Sequence, residues 1–286
     1  MAEHLQNELA CWLAVHRAPD VGAATFLKLL SIFKQPRSIL EASHAKLMEC
    51  GLKSHTIDYL LSPDWEQVEN DLGWLTENQA SVITLGDSEY PPLLKETADP
   101  PPLIFALGNK SLLNTEQLAI VGSRNPTPMG EQTAEDFAKS LAEVGWTITS
   151  GMALGIDAAC HRGALGAENG HTIAVIGTGI DRIYPARNHE LAHQIAENGL
   201  IISEFPLGTS PLPGNFPRRN RIISGMSRGV FVVEAALRSG SLITASKVER
   251  YLRYLVRYIT HCREVATYSS GRGPSWLRRP NISMKN

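Results

Sequence analysis

The segment Gly214-Asn215-Phe216-Pro217-Arg218-Arg219-Asn220-Arg221 sets three arginines within four residues, beside an aromatic ring and at the mouth of an expected helix. Guanidinium groups grip phosphate oxygens through paired N–H donors, and an aromatic face offers a base something to stack on. The competing reading is a solvated arginine cluster with Phe216 in the core. Arg124 weighs against it, because it follows a neighbouring strand and is expected to face the same rim. A basic pocket of this kind suggests a strand of nucleic acid threaded locally.

The elements that must position these residues begin at Gln117, where apolar strands alternate regularly with helices. LAIVGS, TITSG, TIAVIGTG, LIISEF and GVFVVEA read as strands; PMGEQTAEDFAKSLAEVGW, GIDAACHRGALGAENG, NHELAHQIAENG and RNRIISGMS read as the helices between them. Near-continuous Val/Ile/Ala strands between amphipathic helices predict a parallel sheet covered on both faces. The expected fold class is therefore α/β: a doubly wound, extended Rossmann-like parallel sheet preceded by a small helical domain. Ligands of such sheets bind at the carboxyl ends of the strands. Those ends read Gly122-Ser123-Arg124, Ser150-Gly151 running on to Gly155, Gly177-Thr178-Gly179, Ser203-Glu204-Phe205, and a last strand leading to Ser239-Gly240-Ser241. Glycines admit a ligand to the backbone, and hydroxyls with helix N-terminal N–H groups suit an anion. AIVGSRNPTPMGE lacks the G-x-G-x-x-G of a dinucleotide site, and no P-loop motif occurs. No cofactor is expected. Four widely spaced cysteines (11, 50, 160 and 262) without a CxxC pair give no metal or disulfide framework.

Residues 1–80 read as the helical domain, in which RAPDVGAATFLKLLSIF fits a helix-hairpin-helix or SAM-like module and equally a plain packing domain. Residues 81–116, rich in proline, read as a linker carrying the first strand of the core at Leu103 to Leu107; residues 117–245 are the Rossmann-like domain. The 27 basic and 29 acidic residues conceal an asymmetry. Before Lys247 there are 18 basic and 27 acidic residues, a net −9, so any anion site must be local. Without a long apolar run or a signal-like start, a cytoplasmic chain free of the membrane is expected.

Several segments together resemble the DNA-processing protein A family (DprA, also called Smf). They are D-x-x-Y-P at Asp87 to Pro91, DPPPLIFALG at Asp99 to Gly108, AIVGSR, TSGMALGIDAACHRGAL, GTGIDRIYPARN, SEFPLG, NFPRRNRIISGMS and VVEAALRSGSLITA. The resemblance implies a single-stranded DNA-binding protein rather than an enzyme. Such a protein protects incoming strands during natural transformation and helps load the RecA recombinase, usually as a homodimer. It carries the DNA site onto Ser123, Arg124, Gly155, Phe216, Arg218, Arg219, Asn220 and Arg221. Gly155, Asp157 and His161 look catalytic in isolation but lack a paired base or metal constellation, and are read as structural, with Asp157 capping the following helix. The alternative is a phosphoribohydrolase-like nucleotide enzyme, with Glu204 or Glu234 as the acid.

After SGSLITA the chain departs from the family, and residues 246–286 are expected to be an aberrant tail. Read from one base before each present codon, residues 255–259 can encode P-G-S-I-H and residues 261–266 P-L-S-R-G-C, which are the family's own words in order. A stripe of Tyr251, Leu252, Tyr254, Leu255, Tyr258 and Ile259 beside arginines also fits a basic amphipathic helix. An out-of-frame translation of the C-terminal part makes that stripe accidental. Resequencing the coding DNA is expected to find a small deletion near codon 246; an intact frame relative to close relatives refutes this origin. An altered tail also leaves sheet edge uncovered, so the product should melt early or aggregate, and a sharp, high thermal transition by circular dichroism would contradict it.

Overall fold

The computed structural model describes residues 4–234; the tail from residue 246 and Ser239-Gly240-Ser241 lie outside them. Six helices come first: α1 (Glu8–Arg17), α2 (Ala23–Phe33), α3 (Pro36–Leu40), α4 (His44–Glu49), α5 (Ser54–Leu61) and α6 (Trp65–Glu77). Side chains of Asn7, Ser43 and Asp64 accept backbone N–H groups at the starts of α1, α4 and α6. Gly22, the glycine singled out in the sequence, is the extended N-cap of α2 and makes no side-chain cap. The apolar faces of these helices (Leu13, Phe26, Leu29, Ile39, Leu60) share one core with Leu103, Phe105 and Ile201 of the sheet, so the helices form a layer on it.

The proline-rich passage contributes more than its expected single strand. It begins with β1 (Ser81–Thr84), passes through the short α7 (Pro92–Lys95) and ends with β2 (Leu103–Gly108). The two pair antiparallel as the edge of the sheet. The prolines sit in the connection between them, where no ladder hydrogen bond is needed. The alternating part follows: β3 (Gln117–Gly122), α8 (Pro128–Glu143), β4 (Thr147–Ser150), α9 (Ile156–Leu165), β5 (Thr172–Val175), α10 (His189–Asn198), β6 (Leu200–Ser203), α11 (Asn215–Met226) and β7 (Gly229–Val233). The sheet runs β1-β2-β6-β5-β4-β3-β7, with the last five strands parallel.

Successive strand residues alternate between the two faces of the sheet, as a pleated sheet requires. Leu118, Ile120, Phe231 and Val233 pack with α8 and α9, while Ala174 and Ile201 meet α10 and the helical layer. Ala119, Val121, Val175, Ile202 and Val232 face the other way, against α7 and α11. The chain thus leaves β5 for one face and β6 for the opposite face. The ends of these two strands are where connections diverge, the usual place for a ligand in such a sheet.

The helical layer reaches the end of β6 directly. Arg17 pairs with buried Asp71 and donates from Nη2 to the Leu207 carbonyl at 3.1 Å. His16, largely buried, donates from Nε2 to the Glu204 carbonyl at 3.0 Å, and burial holds its pKa down at about 4. A histidine that is neutral when folded and titrates near 6.5 when unfolded makes folding less favourable as pH falls. Its contribution is complete above about pH 6.5 and is lost down to about pH 4, on the order of 3 kcal/mol. Urea unfolding at pH 7 and pH 4.5 should therefore show a larger loss of stability for the wild type than for His16→Gln. Equal pH dependence in the two proteins would refute a neutral, enclosed His16.

Candidate nucleic-acid interface

Helix α11 begins over the carboxyl ends of β4 and β5. Its first turn lies so close that a Cβ added at Gly177 would stand 3.0 Å from the Phe216 ring. What holds it there is Arg219. The Arg219 side chain turns inward and Nη1 donates to two strand-end carbonyls, Gly151 and Val175. A Cβ at Gly151 would meet that guanidinium and displace it. Burial pulls the pKa of Arg219 down to about 10, and Asp157 opposes the pull. Asp157 is itself buried, which raises its pKa, and Arg219 is the largest influence lowering it. Each of these two buried groups thus favours the charged form of the other beneath the rim.

The arginine cluster is split by helical geometry. Residues 218, 219 and 221 point in different directions at 3.6 residues per turn. Arg218 is exposed, with its guanidinium carbon 5.2 Å from the Phe205 ring centroid. Arg221 is buried, as Arg219 is: it pairs with Glu204 through Nη2 and with Asp99 through Nε at 3.2 Å. Asn220 is half-buried and its carbonyl accepts from the Ser224 hydroxyl at 3.2 Å. Arg219 and Arg221, both expected at the rim, are thus spent on the protein itself, because the inward positions of α11 are the ones they occupy.

Arg124 does reach the rim. It is exposed after β3, and its guanidinium carbon lies 5.7 Å from the centroid of the Phe216 ring, which is half-buried. Ser123 shapes this turn: its Oγ accepts from Asn125 N–H at 3.1 Å and its carbonyl accepts from Ile156 N–H at 3.1 Å. Gly155 takes φ +78° as the N-cap of α9, and a Cβ there would run into the Ser123 carbonyl. Its role is to let the β4–α9 and β3–α8 connections touch. Asp157 accepts from Ala153 N–H at 3.3 Å, ahead of the helix, while the cap position itself belongs to Gly155. His161 is buried; its Nδ1 lies 2.6 Å from Thr172 Oγ1, whose proton goes to the Ile148 carbonyl. Burial holds its pKa at about 3, so it is a neutral core histidine.

Both candidate acids of the enzyme reading are engaged by neighbouring groups of the protein. Glu204 is buried against Arg221, and burial raises its pKa. Glu234 accepts from Thr127 N–H at 2.7 Å and from the Thr127 hydroxyl, at the start of α8. Among the described residues no group of three or more His, Cys, Asp or Glu could hold a metal ion. No described helix is long and apolar enough to cross a membrane. Sequence reasoning passed over Tyr184, which is 47% exposed with its ring centroid 5.7 Å from that of Phe216. Its only signal was a polar, arginine-flanked setting after the glycine-rich end of β5.

Residues 81–271 match the sequence model of the DNA recombination-mediator protein A family. The chain is 46% identical over 200 residues to Protein Smf of Escherichia coli, covering 70% of this chain and 53% of that one. It is 39% identical over 255 residues to Protein Smf of Synechocystis, covering 86% and 63%. The chain therefore spans between half and two thirds of the length of these relatives. DNA processing protein A of Streptococcus pneumoniae superposes with a TM-score of 0.73 at 33% identity, covering 84% of this chain and 82% of that one. The Helicobacter pylori protein, described for its single-stranded DNA binding mode, gives a TM-score of 0.55 at 36% identity, with 60% and 77% covered. With the alternating sheet, the rim at its strand ends and these matches in agreement, the chain belongs to the DNA recombination-mediator protein A family.

Proposed function

We propose that this chain binds single-stranded DNA across the carboxyl ends of β3 and β5, as a cytoplasmic protein that handles incoming strands in natural transformation. Helping to load the RecA recombinase, and acting as a homodimer, complete this reading by analogy with the family. The observation that carries it is the pairing of two exposed guanidiniums with aromatic rings: Arg124 over Phe216 and Arg218 over Phe205. Neither arginine has a carboxylate partner among the described residues, so both charges are available to phosphates. A base stacks beside Phe216, and Asn220, Ser123 and Gly155 complete the rim around it. Arg219 and Arg221 serve this site by holding α11 and the β6–α11 connection, without touching the strand. The reading requires no covalent step.

Anisotropy of a labelled oligo-dT is expected to report single-strand binding that weakens with salt, with duplex of equal length bound less well. Phe216→Ala should cost about 1–3 kcal/mol of affinity. Arg124→Ala and Arg218→Ala should each flatten the salt dependence, by about 0.7 in the log–log slope for every phosphate no longer neutralised. Equal affinity for the two DNA forms, or wild-type binding by Phe216→Ala, would overturn the assignment. Loading is checked separately, by whether oligonucleotide carrying this protein forms RecA filaments faster than bare oligonucleotide.

The two arginine classes should also separate by stability. Arg219→Ala removes the donor shared by the buried Gly151 and Val175 carbonyls and should lower unfolding free energy by about 1–3 kcal/mol in urea. Arg218→Ala should leave the urea midpoint unchanged while weakening DNA binding. A midpoint for Arg219→Ala equal to the wild type would return that residue to the rim.

A further inference from the structure

We propose that His189 and His193 of α10 form a chelating site for a transition-metal dication that takes nitrogen ligands at right angles, such as Cu²⁺ or Ni²⁺. The inference makes no use of the strand-end rim and is independent of the single-strand reading.

α10 reads HELAHQIAEN and turns Leu191, Ala192 and Ile195 into the core. At 3.6 residues per turn, His189, His193 and Glu197 line up along the opposite side, and all three are exposed. The two imidazole rings meet there, with centroids 4.5 Å apart and planes tilted by 59°. Most other described histidines are engaged by the protein. His16 and His161 are buried on protein partners, His55 lies on Asp20 and His4 on Glu69. His189 and His193 touch only each other: neither has a hydrogen-bond or ion-pair partner among the described residues. Their ring nitrogens are therefore open to an outside ligand.

Two histidines four residues apart on a helix can share one metal ion, because their rings leave the same face one turn apart. A metal about 2.1 Å from a ring nitrogen lies about 3.2 Å from the centroid of that ring. Centroids 4.5 Å apart then subtend about 90° at the metal. A tetrahedral ion would need them roughly 5.3 Å apart. The pair thus fits neighbouring corners of a square-planar or octahedral ion, Cu²⁺ or Ni²⁺, better than it fits Zn²⁺. Water fills the remaining positions, so two protein ligands suffice.

Charge and rigidity favour the same reading. α10 carries the carboxylates of Glu190 and Glu197 and neither Lys nor Arg, so an arriving cation meets no repulsion from the helix itself. The helix is also tied at both ends. Asn188 Nδ2 donates to the Met152 carbonyl at 2.8 Å, and Gly199 N–H donates to the Ile195 carbonyl at 2.8 Å. Ligands held on adjacent turns of a fixed backbone give up little freedom when the metal binds.

The test uses the full chain and the metal alone, each variant first confirmed as folded by circular dichroism. Titration calorimetry with Ni²⁺ should show His189→Gln and His193→Gln each weakening the tightest site by about tenfold or more. The double variant His193→Gln/Gln194→His keeps the number of histidines but moves the second ring about 100° around the helix, and it should weaken binding as much. One equivalent of Cu²⁺ should give an electron paramagnetic resonance spectrum with coupling to two nitrogens in the wild type and fewer in either single variant. Added Ni²⁺ should raise the thermal midpoint of the wild type and not that of the double variant, since only the folded helix brings the two rings together. Wild-type Ni²⁺ affinity in the double variant, or coupling to two nitrogens in either single variant, would put the metal elsewhere and overturn the site.

Discussion

A guanidinium buried beneath the first turn of α11 is the constraint on which the candidate site depends. A charge removed from water is tolerable only with hydrogen-bond acceptors and a counter-charge at hand. Arg219 finds both, in the carbonyls of Gly151 and Val175 and in the nearby Asp157. These acceptors lie at the ends of two different strands, so the helix is fixed relative to both at once. Phe216 and Arg218, one turn or less away on the same helix, inherit that position. A Cβ at Gly151 would meet the Arg219 guanidinium, and one at Gly177 would press on the Phe216 ring.

The helical layer takes part in the same arrangement from the other side. His16 and Arg17 bond to carbonyls of Glu204 and Leu207, in the connection that leads from β6 into α11. Glu204 in turn holds Arg221 of α11. Backbone and side chain of one residue therefore link the layer, the end of the sheet and the helix that bears the aromatic ring. This gives the first helices a part in positioning the rim that a packing domain alone would not have.

The alternating sheet was legible because strands covered on both faces must be apolar almost throughout, and LAIVGS or LIISEF announce that without help. The site was legible in outline for a similar reason, since the strand ends are fixed by topology. What remained hidden was direction. Three arginines close in sequence look like one patch, yet on a helix they diverge, and only Arg218 reaches solvent. β1 escaped notice because its four residues, Ser81–Thr84, are too few to show alternation. Tyr184 had only its arginine-flanked setting to mark it, since exposure is decided by packing between segments distant in the chain.

The placing of β7 beside β3 bears on how the protein is made. Leu118 registers with Gly229, so the strand that bears Arg124 at its end receives one neighbour soon and the other only 111 residues later. At translation rates of about 5–20 residues per second that interval is roughly 5–20 s. Throughout it β3 keeps one unpaired edge, a template for pairing with other chains. The Arg124 turn meanwhile lacks two anchors that arrive with the last strand, the Val233 carbonyl on Ser123 N–H and the Glu234 carboxylate on Thr127. A growing chain on the ribosome consequently has no finished rim to offer, and its open edge is where a chaperone would have most to protect.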